Sequence, residues 1–357
     1  MRLSDFDYSL PSKLIAQTPA EPRDSARLLV YDRATDSISH ALVSDLPELL
    51  PAPAVIIANN SKVRQSRLFG RTSTGKDIEL FILHAEGNFY RCLLGGSGRP
   101  NGIISLFTNR ERCSKILMQA EIIDEESGPG MKTYLAVFYG TSSVETVLEQ
   151  YAELPLPPYI TERVAQNTQY QTVFAKELGS AAAPTAGLHF TPELITNLSG
   201  RGISWNEVTL HVGLGTFLPL RQEEIAKNTL HVERCYISEQ TAASANQGQP
   251  VIAVGTTSAR TLESHIQEKR VISGWEATDI FIHPGYVFQA VDALITNFHL
   301  PKSSLLLLVA ALLGNDPQSK EITKTPEEMR DQLLKIYDVA IKNDYRFFSF
   351  GDAMLIL

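Results

Sequence analysis

The stretch VIAVGTTSAR, residues 251–260, carries the clearest sign of the fold. Its four apolar residues, 251–254, predict a strand buried on both faces, and the run from Ser258 to Lys269 predicts a helix. A glycine and hydroxyl side chains stand between the two elements, a composition that suits an anion or carboxylate at a helix N-terminus. The alternative is that Thr257 or Ser258 only caps the helix.

The same alternation of strands and helices extends in both directions from this stretch. The pattern predicts strands at 27–31, 55–58, 206–212, 279–282 and 293–296, and helices at 303–313 and 326–342. Strands that alternate with helices indicate an α/β domain whose sheet is largely parallel, either open or rolled into a barrel.

The pattern of predicted secondary structure changes between residues 66 and 150. Short strands are predicted at 78–83, 89–94, 103–107, 116–123 and 134–138, with glycine and asparagine in the turns between them. Closely spaced short strands indicate a small antiparallel barrel. The predicted fold is therefore α/β plus all-β. An α/β-barrel-like catalytic domain comprises 1–65 and 151–357, and a β-barrel domain comprising 66–150 is inserted into it.

Amino-acid composition bears on the cellular compartment of the protein and on whether it has a zinc site, disulfides or a membrane segment. The three cysteines form no CxxC pair, which favours a reducing compartment and argues against a zinc ribbon or a disulfide framework. The longest apolar run, 305–313, is nine residues, whereas a membrane span needs about twenty. The N-terminus has no signal-peptide pattern. A cytoplasmic protein without a membrane segment is expected.

Charge is distributed unevenly along the chain. The net charge is −8, yet residues 61–120 contain ten Lys or Arg and four Asp or Glu, so this segment carries +6 and the remainder −14. Such asymmetry indicates contact with nucleic acid. The alternative is an ordinary solvated face of the protein.

Small side chains dominate GSAAAPTAGLHFT, residues 179–191. They would let a ligand lie against the backbone with His189 at the rim, although a close-packed crossover would need the same composition. Two other segments, 209–217 and 292–299, place polar side chains directly after a predicted strand. Histidines occur in all three segments, but their spacing is long and irregular, so no metal site is expected.

Eight stretches together resemble one family, the S-adenosylmethionine:tRNA ribosyltransferase-isomerases of the queuosine pathway. The matching stretches, in chain order, are EPRDSARLLV (21–30), SRLFG (66–70), LPLPPYI (154–160), GSAAAPTAGLHF (179–190), TLHVGLGTF (209–217), VIAVGTTSARTLES (251–264), VDALITNFHLPKS (291–303) and YRFFSFGDAMLI (345–356).

The resemblance implies transfer and isomerisation of the ribosyl moiety of S-adenosylmethionine onto 7-aminomethyl-7-deazaguanine at the wobble position of tRNA. The product would be epoxyqueuosine-tRNA, with adenine and methionine released. S-adenosylmethionine would be a consumed substrate, with no cofactor and no metal. The expected acceptor is the anticodon stem-loop, and the expected enzyme is a monomer.

The residues expected to act follow from the matched motifs. Catalytic candidates are His189, His211, Glu233 and Asp292, the last as an orienting or acidic partner. Substrate-binding candidates are Ala183, Pro184, Thr185, Gly187, Gly213, Gly215, Thr256, Thr257, Arg260, Thr296, Asn297 and His299. Candidates for tRNA binding are Arg23, Lys62, Arg64 and Arg67, with Phe190, Phe217, Phe298 and Tyr345 as possible stacking partners for the flipped base.

Two other functions stay open at the level of sequence. One is an S-adenosylmethionine-dependent tRNA methyltransferase, which would use both ligands but transfer a methyl group. The other is a non-catalytic RNA-binding protein with the same fold. The nature of the released product separates the first from ribosyl transfer, because a methyltransferase releases S-adenosylhomocysteine.

Overall fold

The computed structural model describes residues 1–95, 102–109, 111, 115–127, 132–157, 159–160, 169–213, 220–317 and 319–357. The chain divides into two units, one of Met1–Lys62 with Pro158–Leu357 and one of Val63–Pro157. The observed limits of the smaller unit lie three residues before and seven residues after the expected limits, 66 and 150.

The strands are β1 Arg27–Asp32, β2 Ser37–Leu42, β3 Ala54–Asn59, β4 Ser61–Val63, β5 Arg67–Thr72, β6 Asp77–Glu86, β7 Phe89–Gly95, β8 Ile103–Phe107, β9 Ile116–Ser127, β10 Lys132–Tyr139, β11 Glu177–Ser180, β12 Ile203–Leu210, β13 Glu233–Ile237, β14 Val251–Val254, β15 Ile266–Gln267, β16 Arg270–Val271, β17 Gly274–Thr278, β18 Ala293–Asn297 and β19 Ala353–Ile356.

The α-helices are α1 Leu46–Leu49, α2 Val144–Tyr151, α3 Pro192–Gly200, α4 Glu239–Ala245, α5 Gly255–Ser264, α6 Ser304–Leu313 and α7 Pro326–Lys342. Short 3-10 helices cover Leu3–Phe6, Ser12–Leu14, Arg23–Ser25, Val43–Asp45, Thr185–His189 and Ile225–Lys227.

The larger unit is built on a nine-stranded sheet of order β17-β13-β12-β3-β14-β18-β19-β1-β2. Strand β3 explains why its sequence is continuously apolar. Val55 and Ile57 pack into one core with α6 and α7, whereas Ile56 and Ala58 pack into a second core with α3 on the opposite face. A strand covered on both faces needs apolar side chains in both directions.

The sheet is mixed, which corrects the expectation of a largely parallel sheet. The central strands β12, β3, β14 and β18 run parallel to one another. Antiparallel neighbours then join them on either side, with β13 and then β17 beyond β12, and β19 beyond β18. These antiparallel partners are distant in sequence, because β14 and α5 lie between β13 and β17 and α6 and α7 lie between β18 and β19, so the helix-strand alternation of the sequence does not reveal their direction.

Two predicted elements near the C-terminal half were wrong. The helix predicted to run to Lys269 ends at Ser264, and β15 and β16 form a hairpin immediately after it. Glu268 and Lys269 have positive φ, which is a turn conformation that no helix residue adopts. The strand predicted at 279–282 does not form, and the edge strand β17 lies just before it.

The smaller unit is a closed antiparallel barrel of order β10-β7-β6-β5-β8-β9. Alternate residues of β6, among them Ile78, Leu80 and Ile82, point into its core, as the twofold period of a strand requires. Helix α2 packs Val147 and Leu148 into the same core. The class predicted from sequence, α/β plus an inserted small β-barrel, is therefore confirmed.

Candidate active site

A cavity of about 460 Å³ opens at the carboxyl edge of the parallel strands. Because β14 and β18 are parallel neighbours with Val254 opposite Ile295, the next residues, Gly255 and Thr296, lie at the same edge and both line the cavity. Open α/β sheets bind ligands at this edge, where loops leave the strands together. The segment Ala182–Ala186 forms a further wall with small side chains.

The segment 182–186 approaches the start of α5 closely. A Cβ placed on Gly255, whose φ is +83°, would lie 3.4 Å from Cβ of Ala186. Ala183, Pro184 and Thr185 line the cavity, as the sequence predicted for a ligand cradle. Gly187 does not line it: a Cβ there would lie 2.7 Å from Cζ of Phe174, so its small size serves packing.

Arg260, in the second turn of α5, lines the cavity. Its Nη1 donates to Oε2 of Glu233 at 2.6 Å, and both side chains are buried. Glu233 Oε1 accepts the Gly213 backbone N–H at 2.8 Å. The Nε and Nη2 atoms of Arg260 are buried and have no partner among the described residues. Because buried donors are normally satisfied, these two nitrogens make Arg260 a candidate for binding a carboxylate.

The start of α5 adds further donors at the same wall. Thr256 and Thr257 line the cavity, and Thr257 Oγ1 is buried without a partner in the described part of the chain. Ser258 donates instead to the Val254 carbonyl at 2.7 Å, and no side chain caps the helix. The alternative that Thr257 or Ser258 is present as a cap is therefore wrong.

His189 is buried behind the cavity and holds Asn297, which lines it. Asn297 Nδ2 donates to His189 Nε2 at 3.1 Å, and Thr185 Oγ1 donates to Asn297 Oδ1 at 3.1 Å. Burial, together with the smaller effects of the Arg346 and Arg23 charges, lowers the pKa of His189 to about 4. The ring is thus neutral at pH 7 with its Nε2 lone pair occupied, which suits an orienting role.

His299 is a histidine that lines the cavity directly. Its Nε2 lies 2.9 Å from Thr296 Oγ1, and burial lowers its pKa to about 3. Tyr337 accepts the His299 backbone N–H at 3.0 Å, while Tyr8 donates to its carbonyl oxygen. This fixed backbone holds a neutral imidazole at the carboxyl edge of β18.

His211 is not among the residues that line the cavity. Successive side chains beyond β12 point in opposite directions, so Val212 lines the cavity and His211 stacks on Trp275, with ring centroids 6.1 Å apart. Burial lowers the pKa of His211, and the nearby Glu177 opposes that shift. The structure therefore does not bring His211 together with His189 and His299.

Asp292 lies at the opposite end of β18 from Asn297. It accepts the Val251 backbone N–H at 2.8 Å and forms an ion pair with Lys320. Since it precedes the first residue of the strand, it stands about 13 Å or more from the carboxyl edge at a rise of about 3.3 Å per residue. This position corrects the expectation that Asp292 partners the catalytic histidines.

The aromatic residues around the cavity differ in part from those the sequence suggested. Phe190 and Tyr345 are fully buried core side chains outside the cavity lining, which corrects their assignment as stacking partners, whereas Phe298 is buried and also lines the cavity. Tyr159, Tyr170 and Phe348 line the cavity and were not predicted to do so. Tyr159 and Phe348 lie inside the motif stretches 154–160 and 345–356, so aromatic content within a motif was the available signal, whereas Tyr170 lies outside both. Gly215 and Phe217 lie outside the described residues.

The four candidates for tRNA binding occupy different environments. Arg23 is half-buried, donates to the Gln171 carbonyl at 2.8 Å, and burial lowers its pKa. Lys62 is exposed. In the barrel unit, Arg64 pairs with Glu145 and Arg67 pairs with Glu79, the latter at 2.6 Å.

The described residues contain neither a metal-ligand cluster nor a membrane-spanning helix. No group of three or more His, Cys, Asp or Glu side chains is arranged to hold a metal ion in that part of the chain. Within the same residues, every helix is too short or too polar to cross a bilayer.

Comparison with known proteins identifies the family. A family model described as queuosine biosynthesis protein matches residues 3–356. The S-adenosylmethionine:tRNA ribosyltransferase-isomerases of Desulfitobacterium hafniense and Moorella thermoacetica are each 44% identical to this chain, with 100% of both chains covered. The crystal structure of S-adenosylmethionine tRNA ribosyltransferase from Thermotoga maritima is 31% identical, covers 99% of this chain and 100% of its own, and superposes with a TM-score of 0.52. This chain therefore belongs to the queuosine biosynthesis protein family.

Proposed function

We propose that this protein is an S-adenosylmethionine:tRNA ribosyltransferase-isomerase. It transfers and isomerises the ribosyl moiety of S-adenosylmethionine onto the aminomethyl group of 7-aminomethyl-7-deazaguanine at the wobble position of tRNA, giving epoxyqueuosine-tRNA, adenine and methionine. Full-length relatives of that name support the activity. Among the described residues, the observation that carries the proposal is a buried arginine with two unpartnered donors beside a cavity of about 460 Å³.

Arg260 is proposed to bind the carboxylate of the methionyl group. The two unpartnered nitrogens, Nε and Nη2, are adjacent corners of the guanidinium and match the two oxygens of a carboxylate. Thr256 and Thr257 add hydroxyl and helix N-terminal donors on the same wall. Because Glu233 holds Nη1, the remaining fork is fixed before the ligand arrives.

The nucleoside part is proposed to lie against Ala182–Ala186, where small side chains allow close approach to the backbone. Asn297, oriented by His189 and Thr185, would hydrogen-bond sugar hydroxyls or a base edge. The rings of Tyr159 and Phe348, whose centroids are 4.9 Å apart, line the cavity and can stabilise the sulfonium cation through their π faces.

The reaction needs a base that removes a proton from C5′ of the ribose, which the adjacent sulfonium acidifies. The resulting ylide would open the sugar and release adenine, after which the aminomethyl nitrogen attacks and epoxide closure expels methionine. We assign the base to His299, because it lines the cavity and has a hydroxyl partner, Thr296, to orient its ring. Positioning of Asn297 is assigned to His189.

The remaining parts of the proposal concern the partners. S-adenosylmethionine is consumed as a substrate and no further cofactor is required. The anticodon stem-loop is a sufficient acceptor, the active species is a monomer, and the protein works in the cytoplasm with its tRNA.

The test is turnover on an anticodon stem-loop that carries 7-aminomethyl-7-deazaguanine at the wobble position. Equimolar adenine and methionine, with a matching mass increase of the RNA, is the expected result. Release of S-adenosylhomocysteine would instead show methyl transfer, and tight RNA binding without any product would show a non-catalytic RNA-binding protein.

A further inference from the structure

A second cleft, of about 440 Å³, lies in the same unit as the cavity. Its lining includes Asn60, Glu177, Glu207, Thr209, Tyr236 and Trp275. None of the roles assigned above uses this cleft. Its lining combines aromatic and hydrogen-bonding side chains, a composition that suits a ligand-binding site better than a packing defect.

Two aromatic side chains form one wall of the cleft. Trp275 on β17 pairs directly with Tyr236 on β13, and their ring centroids are 5.1 Å apart. Although a large apolar side chain is normally buried, Trp275 is 50% exposed. Aromatic side chains displayed on a sheet surface are the usual platform on which unpaired bases of RNA stack.

The indole of Trp275 is held in a fixed orientation by two neighbouring side chains. The ring of His211 stacks on it with an interplanar angle of 14°, and the Arg234 guanidinium lies 5.0 Å from its centroid. His211 is itself confined, because a Cβ on Gly179 would lie 3.0 Å from its ring. A platform fixed in this way loses little conformational entropy when a base stacks on it.

The floor of the cleft is a chain of hydrogen bonds. Thr209 Oγ1 donates to Asn60 Oδ1 at 2.7 Å, Asn60 Nδ2 donates to Glu207 Oε2 at 3.1 Å, and Lys176 Nζ contacts the same carboxylate at 2.8 Å. With Glu177 the described lining carries two carboxylates and one lysine. Because the acidic side chains outnumber the basic one, this lining disfavours binding of a phosphate and favours binding of the amino N–H groups on the edge of a nucleobase.

Two segments connect the cleft to the cavity. In the first segment, Glu177 lines the cleft and Ala182 lines the cavity. In the second, Thr209 lines the cleft and Val212 lines the cavity. Five residues span at most about 17 Å even when fully extended, so the two openings are close enough to be reached by neighbouring nucleotides of one strand.

We propose that this cleft binds an unstacked nucleobase of the acceptor RNA next to the target nucleotide. The base stacks on Trp275 and Tyr236 and offers its amino group to Glu177 or Glu207. This proposal rests on the proposed function and deepens it by assigning a second RNA subsite outside the reaction cavity.

The test measures the dissociation constant of the anticodon stem-loop, so it does not depend on turnover. Trp275→Ala is expected to weaken RNA binding by about 10- to 100-fold, the range that stacking of one base supports, and Trp275→Phe is expected to restore most of the loss. S-adenosylmethionine affinity reports that the fold is intact. Val287→Ala is the matched control, since it shortens another exposed apolar side chain.

Stem-loops with a single abasic nucleotide locate the base. In the wild-type protein one abasic position beside the target should weaken binding by the same factor, and in Trp275→Ala that position should have no further effect. Equal RNA affinity of Trp275→Ala and wild type, or an abasic effect that persists undiminished in the variant, would overturn the proposal. Absence of adenine and methionine from wild-type reactions would count against the proposed function alone.

Discussion

Nη1 of Arg260 donates to Oε2 of Glu233 across 2.6 Å, and this buried ion pair leaves the other corner of the guanidinium without a partner among the described residues. Burying two charges is costly unless their remaining hydrogen bonds are made. A ligand carboxylate would complete the set. The incomplete pair is therefore the basis of our proposal that Arg260 binds the ligand carboxylate.

Replacing Arg260 by Lys should remove the recognition of a carboxylate while keeping a positive charge. The wild-type enzyme is expected to bind S-adenosylmethionine about 10- to 100-fold more tightly than its decarboxylated analogue, because a charge-assisted hydrogen bond contributes about 1.5–3 kcal/mol. In Arg260→Lys this preference should approach unity, because the ammonium lacks the planar fork. Calorimetric titration with both ligands measures the ratio.

Lys302 supplies the control for that experiment. It is a second cation at the cavity, but it already pairs with Asp7 at 2.7 Å. Lys302→Gln should therefore keep the preference for the carboxylate-bearing ligand. An unchanged preference in Arg260→Lys would place the carboxylate elsewhere.

Stability should rise with pH between about 4 and 6.5 because of His189. Burial lowers its pKa in the folded state from 6.5 to about 4, so in this window the unfolded chain binds a proton that the folded protein does not. The free energy of unfolding should therefore fall by about 1.4 kcal/mol for each pH unit of acidification attributable to this ring. The contribution is fully present above pH 6.5 and is lost as pH falls through the window.

His189→Gln should flatten the slope of stability against pH by about that amount, as measured by urea unfolding at pH 5 and 6. The matched control is His84→Gln, because the His84 side chain is 61% exposed. The slope of stability against pH should therefore be clearly smaller in His189→Gln than in His84→Gln. A slope in His189→Gln equal to that of the wild type would show that this ring is not held neutral.

Much of the fold could be predicted from sequence because burial on two faces leaves an unambiguous pattern. The apolar runs of β3, β14 and α6 have no polar side to obscure them, and the alternation in β6 is regular. Strands β13 and β17 escaped prediction because β17, at the edge of the sheet, exposes three consecutive residues, Trp275 among them, and β13 beside it exposes Arg234. Edge strands carry weak hydrophobic signals.

The site was harder to predict because a motif does not say which way its side chains point. Val212 and His211 are neighbours in sequence, yet only Val212 lines the cavity. Asp292 and Asn297 belong to one motif, yet they lie at opposite ends of β18. By contrast, Arg260 and Thr257 lie at the start of a helix that follows a buried strand, a position that the sequence pattern does define.

His299→Gln should abolish turnover, because a positioned general base contributes about 10²- to 10⁴-fold to a rate. Affinity for S-adenosylmethionine should stay within about threefold, since glutamine preserves a hydrogen-bonding side chain at the wall. Incorporation of solvent deuterium at C5′ should also disappear, as read by mass spectrometry.

Thr296 offers a finer probe of the same assignment. Thr296→Val removes the hydroxyl that lies 2.9 Å from the His299 ring and should lower kcat, whereas Thr296→Ser keeps the hydroxyl and should recover most of it. Deuterium exchange that survives in His299→Gln would assign the base to another group.

Gly179→Ala should affect both stability and RNA binding. Gly179 has φ +147°, and an added Cβ would lie 3.0 Å from Cε1 and Nδ1 of His211, whose ring stacks on Trp275. We expect a stability loss of about 1–3 kcal/mol from backbone strain, together with displacement of the ring. Gly285→Ala separates the two causes, because Gly285 has φ +102° and nothing within 4 Å of its added Cβ. Equal effects of the two substitutions on RNA affinity would exclude a contribution from the His211 ring.

Lys62 and Arg67 should contribute differently to binding of tRNA, although the sequence suggests the same role for both. Lys62 is exposed, and no carboxylate partner is found for it in the described part of the chain. The Nε and Nη2 atoms of Arg67 donate to Glu79 Oε2 at 3.1 and 2.6 Å, and the guanidinium lies 5.4 Å from the Phe69 ring centroid.

If Lys62 contacts a phosphate, Lys62→Ala should reduce the slope of log K against log salt concentration by about 0.7–0.9, the value for one released counterion. Arg67→Ala should leave that slope nearly unchanged and instead destabilise the barrel by about 1–3 kcal/mol, because it leaves the partly buried Glu79 carboxylate without its partner. Filter binding across a salt series and urea unfolding measure the two quantities, and an equal reduction of the salt slope by both substitutions would show that Arg67 exchanges Glu79 for a phosphate when RNA binds.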